Sequence, residues 1–231
     1  MFTRIFKVFN STKNKMKPLH YVDISSEKAT FAMGCFWAPD SLFGSTPGVI
    51  TTRVGYAGGS KHFLPTYKNI GDYTEAIQLQ YDPNTVSYLE LLNMFWDHHD
   101  PTAKFKKQYS SFIYYHNKEQ KSEAERTLNE KKAKGLDILT KIEPAGEFFN
   151  AEDYHQKYRL RQHQNLCKDL GLDSGDDLIK SHVAARLNGY VVGQGGIDQF
   201  DAESLKLGLD EATIKYVRHL VIKYEGQGLH C

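Results

Sequence analysis

The order of patterned segments between residues 29 and 116 constrains this chain most. Residues 29–33 form a short apolar run, read as a strand. Residues 36–45 follow as a helix, with Pro39 in the first turn, where a missing N–H costs little. Residues 49–56 are rich in β-formers and stop at Gly58-Gly59. Residues 74–81 alternate, with Ile77, Leu79 and Tyr81 on one face and Gln78 and Gln80 on the other. Ser87 and Glu90 make a capping-box pattern, and Tyr88, Leu91, Leu92, Phe95 and Trp96 behind them share one helix face. Residues 110–116 read as a further strand. The order β-α-β-β-α-β is that of the ferredoxin-like split βαβ. The expected class is therefore α+β, an α/β roll or two-layer sandwich with helices over one face of a mostly antiparallel sheet.

Asn117 and Gln120 cap a charged helix to about residue 133, and residues 136–142 read as a fifth strand. Residues 151–163 are a polar, aromatic helix candidate. Residues 184–196 contain Asn188-Gly189 and Gly195-Gly196 and read as loop. Residues 209–224 read as an amphipathic helix. Residues 225–231, with Gly226, Gly228 and a terminal Cys231, read as a mobile tail. The expected organisation is a basic leader over 1–22, a catalytic domain over 23–165, and a helical and loop C-terminal extension over 166–231 that wraps the core.

A net charge of +1 on 231 residues gives no overall basic bias for nucleic acid or anionic membrane. No apolar stretch approaches the ~18 residues that span a bilayer. A monomer is the default. Cys35, Cys167 and Cys231 are too few for a disulfide scaffold and odd in number, which fits reactive thiols in a reducing compartment such as the cytoplasm. The first 22 residues carry Arg4, Lys7, Lys13, Lys15 and Lys17 and no acid, with Phe2, Ile5, Phe6 and Phe9 at helical spacing. That composition makes a mitochondrial address the alternative to a cytoplasmic one.

Chemistry concentrates at Gly34-Cys35-Phe36-Trp37, where the first strand turns into the first helix. The open N–H groups of a first helical turn and the helix dipole favour an anion, and the thiolate is the nucleophilic form of cysteine. Phe36 and Trp37 can build an apolar pocket beside the sulfur. The competing reading is a buried structural cysteine, since cysteine packs like a small hydrophobe. A thiol that becomes a sulfenic acid needs a second thiol to resolve it. Cys231 on a flexible tail suits that role, and Cys167 is the rival, although Leu166, Leu170 and Leu172 mark it as a helix core residue.

In that context the chain resembles the A-type peptide methionine sulfoxide reductases. The resemblance rests on Gly34-Cys35-Phe36-Trp37 and continues in order through Pro47-Gly48-Val49, residues 54–59, Pro65-Thr66-Tyr67 and Thr74-Glu75-Ala76-Ile77. It runs on through Tyr81-Asp82-Pro83, residues 95–101, Gln108-Tyr109-Ser110-Ser111 and residues 151–158. It implies that Cys35 attacks the sulfoxide sulfur and that Glu75 supplies the proton that makes oxygen a leaving group. It also implies that the Tyr67 and Tyr109 hydroxyls hold that oxygen and that Phe36 and Trp37 receive the S-methyl group. Cys35 sulfenic acid would then form a disulfide with Cys231, or with Cys167, which thioredoxin reduces. The implied substrates are the S epimer of methionine sulfoxide in oxidised proteins and peptides, and free methionine sulfoxide. The implied role is protein repair in the oxidative stress response, with no bound cofactor and no metal.

Several positions depart from the family pattern. Asp40 stands where the family has Glu, Ala38-Pro39 replaces a Gly-Val-like pair, and Tyr73 replaces a His. The loop from Tyr67 to Glu75 is shorter than usual. The family's Asp-x-Gly-x-Gln-Tyr becomes Lys104-Phe105-Lys106-Lys107-Gln108-Tyr109, three lysines that would favour acidic sequence around the sulfoxide. Asp97-His98-His99-Asp100 suggests a metal site, but adjacent helix residues point apart, so capping the helix end and closing the site floor is the better reading. A general thiol peroxidase and a non-catalytic binder of oxidised methionine are the competing functions.

Overall fold

The computed structural model describes residues 17–60 and 63–229, so Cys231 and most of the basic leader lie outside the described residues. The first half of the chain runs β1 (Glu27–Met33), α1 (Trp37–Gly44), β2 (Val49–Ala57), β3 (Thr74–Tyr81), α2 (Tyr88–Asp97), β4 (Ser111–Tyr115) and α3 (Lys118–Ala133). Strands β5 (Lys141–Pro144) and β6 (Phe149–Asn150) complete a six-stranded sheet of order β5-β4-β1-β3-β2-β6. Its four central strands are all antiparallel and run 4-1-3-2, the arrangement the β-α-β-β-α-β order predicts. At the edges, β5 joins β4 in parallel and β6 joins β2 antiparallel.

The alternation read in β3 is the reason for its central place. Ile77, Leu79 and Tyr81 enter a core with Phe31 of β1, Leu42 and Phe43 of α1, and Leu91, Leu92, Phe95 and Trp96 of α2. On the other face Gln80 is exposed, but Gln78 is buried and satisfied: it donates to Thr30 at 3.1 Å and accepts from Arg53 at 2.6 and 3.1 Å. Ser87 caps α2 through the reciprocal box with Glu90, and the Asn117 side chain caps α3 at the Gln120 N–H.

The second half is helical: α4 (Tyr158–Arg161), α5 (Gln164–Asp169), α6 (Gly175–Lys180), α7 (His182–Tyr190), α8 (Gly196–Glu203) and α9 (Glu211–Tyr224). These helices share their own core, which includes Leu160, Leu178, Leu187, Tyr190, Phe200, Val217 and Val221. Helix α7 seats this layer on α1. Its Arg186 is buried and donates to the carbonyls of Gly44 at 3.2 Å and Thr46 at 2.5 Å while pairing with Glu203 at 2.9 Å.

Three expectations change. Residues 184–196 are not loop, because α7 carries residues 182–190. Gly189 breaks the propensity rule because a Cβ there would collide with Ser41 of α1 and with Ser45 just beyond its end, so the glycine allows the close crossing. Residues 151–163 are not one helix. A 3-10 turn at Asp153–His155 and α4 are separated by Lys157, whose φ of +49° is the single positive value among described non-glycine residues. The fifth strand begins only at Lys141; before it, the Leu139 N–H is taken by the Pro101 carbonyl at 2.8 Å.

The two ends also sit closer to the fold than their composition suggests. Leu19 and His20 exchange backbone hydrogen bonds with Leu207, Val183 and His182 at 2.8–3.0 Å, so the part of the leader after Met16 is joined to the helical layer. Glu225 accepts from the Ile197 N–H at 3.3 Å, and Leu229 packs against the sheet core.

Candidate active site

Strand β1 ends at Met33, and Gly34 takes a φ of +86°, a left-handed turn that a side chain would strain. That turn aims Cys35 and the first turn of α1 across the end of the sheet, where β3 begins with Thr74 and Glu75. Cys35 is half-exposed. It shares a cleft of about 590 Å³ with Phe36, Trp37, Tyr67, Glu75 and Tyr109. The structure therefore brings together six of the residues singled out from the sequence.

Glu75 is only 1% exposed. One carboxyl oxygen accepts the open N–H of Phe36 at the start of α1 at 3.2 Å, and the other accepts from the Gln108 side chain at 2.8 Å. Burial raises its pKa above the ordinary range, with Gln108, the Phe36 N–H and the Lys106 charge opposing. The result is a carboxyl that favours holding a proton. Tyr109 is held protonated by its hydrogen bond with Tyr67 and then by burial. The two tyrosine hydroxyls and the carboxyl form one cluster beside Cys35.

Tyr67 lies in the loop after β2 and is fixed from outside. Its N–H donates to Glu152 at 2.9 Å, and the other Glu152 oxygen accepts from Tyr56 of β2 at 2.7 Å. Trp37 is fixed by face-to-face stacking on Tyr158, with ring centres 3.7 Å apart, and by donating from Nε1 to Nδ1 of His155 at 3.2 Å. His155 also meets Phe36, Tyr67 and Tyr154 at 4.1–5.1 Å between ring centres. The 151–158 segment reaches this place because the side chain of Gln156 pairs with the backbone N–H and carbonyl of Val54 at 3.1 and 2.9 Å. Lys157 sits beneath it, fully buried, with Nζ donating to the Thr52 carbonyl at 2.6 Å and to Asp40 at 3.2 Å. The acid at position 40, on α1, is thus half of a buried ion pair that ties the helix to the 151–158 segment.

His98, His99 and Asp100 line the far wall of the cleft. Nδ1 of His98 and of His99 donate to the last free carbonyls of α2, Met94 and Phe95, at 2.9 and 2.7 Å. His99 Nε2 then accepts from Ser111, and burial keeps this ring neutral. His98 and His99 thus cap the end of α2 and, with Asp100, form this wall of the cleft.

The two remaining cysteines fare differently. Cys167 lies in the helical core, its Sγ donating to the Leu160 carbonyl at 3.5 Å, and burial raises its pKa. Cys231 lies outside the described residues, but Leu229, two positions earlier, lines the Cys35 cleft. The sequence assigned no role to Gln108, Glu152, His155, Tyr158, Phe105 or Leu229. Gln108, Glu152, His155 and Tyr158 stand in segments that carry the resemblance, and what each touches emerges only from the fold.

The fold and these residues define a class: a ferredoxin-like α+β protein with a cysteine at a strand-to-helix turn facing a buried carboxyl. The chain belongs to the peptide methionine sulfoxide reductase family, whose model matches residues 27–186. A second model, the helical domain of selenoprotein methionine sulfoxide reductase A, matches residues 171–222. A peptide methionine sulfoxide reductase of Drosophila melanogaster is 44% identical over 234 residues, covering 97% of this chain and 94% of that protein. Among solved structures, reduced Mxr1 from Saccharomyces cerevisiae superposes with a TM-score of 0.57 at 30% identity, covering 62% of this chain and 90% of that one. Methionine sulfoxide reductase A of Corynebacterium diphtheriae gives 0.54 at 31% identity, covering 64% and 82%.

Proposed function

We propose that this protein reduces the S epimer of methionine sulfoxide, in oxidised proteins and peptides and as the free amino acid, and so serves protein repair. The observation that carries the reading is the placement of Cys35, Glu75, Tyr67 and Tyr109 around one cleft with Phe36 and Trp37. The Cys35 thiolate attacks the sulfoxide sulfur while its S-methyl group rests on Phe36 and Trp37. Developing charge on oxygen is met by the Tyr67 and Tyr109 hydroxyls, and Glu75 delivers a proton. The S–O bond to methionine breaks, and the protonated oxygen passes as hydroxide to the Cys35 sulfur. The transient bond between the two sulfurs breaks with its electron pair going to methionine, which leaves Cys35 as a sulfenic acid. The Cys231 thiol condenses with it, water departs, and a Cys35–Cys231 disulfide remains. A dithiol reductant, thioredoxin, takes up that disulfide and restores both thiols.

Leu229 at the cleft supports Cys231 as the resolving thiol, because two residues of chain span at most about 7 Å. The buried, hydrogen-bonded Cys167 supports a structural role for that cysteine.

The test is a peptide with a single methionine sulfoxide of defined epimer, incubated with the protein and a dithiol and followed by mass. The S epimer is expected to lose one oxygen and the R epimer to stay intact. Retention of oxygen in both epimers contradicts the reading.

A further inference from the structure

The fold sorts the lysines that replace the family's Asp-containing segment. Lys107 turns away from the cleft. Its Nζ lies 4.2 Å from the centre of the Phe112 ring, and the charges acting on it are those of Glu143, Lys141 and Asp72. Lys106 does not itself line the cleft but reaches two residues that do. Its Nζ stands 5.0 Å from the centre of the Tyr109 ring, which lines the cleft, and its charge reaches Glu75. The Lys106 ammonium is in no ion pair among the described residues. Phe105, just before Lys106, is 57% exposed and lines the cleft. The opposite wall ends in Asp100, whose carboxylate is already occupied by the Thr102 N–H and hydroxyl at 2.9 and 2.6 Å.

We propose that Phe105 and Lys106 form a specificity lip that favours an oxidised methionine with an acidic residue beside it in sequence. This rests on the reductase reading above, because a sulfoxide oxygen bound at Tyr67 and Tyr109 brings the substrate chain past Lys106. Neighbouring residues are ~3.5 Å apart along an extended chain. A carboxylate one or two positions from the sulfoxide therefore falls within the ~8 Å over which physiological salt leaves charges unscreened. Phe105 offers an apolar face to the chain on the same side. The pull of Lys106 on Glu75 is common to all substrates, so the difference between two substrates that differ only in the neighbouring charge belongs in KM. At such distances in a solvated cleft the attraction corresponds to about three- to tenfold.

The experiment uses two peptides, identical except for Glu or Lys next to one S-sulfoxide methionine. The full chain is expected to favour the Glu peptide about three- to tenfold in kcat/KM, through KM, and the ratio should shrink toward one in about 1 M salt. Lys106→Glu should invert the ratio, Lys106→Gln should bring it to about one, and Lys107→Glu should leave it unchanged. A wild-type ratio of one overturns the proposal, as does an equal response to Lys106→Glu and Lys107→Glu. Calorimetric Kd values for both peptides on Cys35→Ser protein give the same ratio without turnover. Equal Kd values sink the lip, whereas unequal Kd values with no oxygen loss in wild type sink the reductase reading and leave the lip standing.

Discussion

The sheet layer and the helical layer each hold a cysteine, and the contrast shows how differently one fold can seat a thiol. Cys167 has apolar neighbours, a carbonyl for its proton and burial that holds that proton on. Cys35 stands at a glycine turn, in a cleft shared with a buried acid and two phenols. The same division holds for buried acids. Asp40 is matched by the Lys157 ammonium and locks segments together, whereas Glu75 receives only neutral donors at hydrogen-bond distance and tends to stay protonated. One acid is neutralised by a partner and serves the architecture. The other is held by neutral donors, and burial raises its pKa.

The largest effect should come from exchanging the two thiols' fates. Cys35→Ser is expected to abolish oxygen loss from an S-sulfoxide peptide in a single turnover, and Cys167→Ser to leave that rate within about twofold, because it deletes only a helix-core contact. A rate-limiting role for Cys167 would break the contrast between the layers. Next, Lys157→Met leaves the Asp40 carboxylate buried without its cation and should cost roughly 3–5 kcal/mol in a urea unfolding experiment. A cost of that size cannot arise from an exposed pair such as Lys180–Asp176.

Glu75→Gln should lower the first-turnover rate about 10²- to 10⁴-fold, the usual contribution of a positioned acid. It should also remove a pH dependence. The folded carboxyl has a pKa above the unfolded value of 4.5, so the folded state holds the proton more tightly. Its stabilising share is complete below 4.5 and is lost as pH rises through the folded pKa. Wild-type activity should fall along that same alkaline limb, and Glu75→Gln protein should lose the limb while gaining stability relative to wild type as pH rises. A Glu75→Gln profile with the wild-type limb would assign the limb to another group.

Much of this was legible in the sequence where one signal decided it. The alternation of residues 74–81 placed β3 at the centre, and Ser87 with Glu90 placed the start of α2. The site residues Cys35, Phe36, Trp37, Tyr67, Glu75 and Tyr109 were chosen by resemblance, and the structure gathers them around one cleft. Helix α7 was illegible because Gly189 reads as a breaker, and its reason, the approach of α1, is a tertiary fact. The break at Lys157 was illegible because a left-handed lysine is compensated only by its buried contacts with Asp40 and Thr52. Among fourteen tyrosines, nothing local marks Tyr67 as the one that Glu152 holds at the cleft.

The central claim is that Cys35, and not the thiol of the helical layer, takes the oxygen and is resolved by the tail. The most direct measurement is disulfide mapping by mass spectrometry after one equivalent of S-sulfoxide peptide is consumed without reductant. The account predicts a Cys35–Cys231 bridge with Cys167 still a thiol. A bridge containing Cys167, or consumption of sulfoxide with Cys35 still reduced, would contradict it.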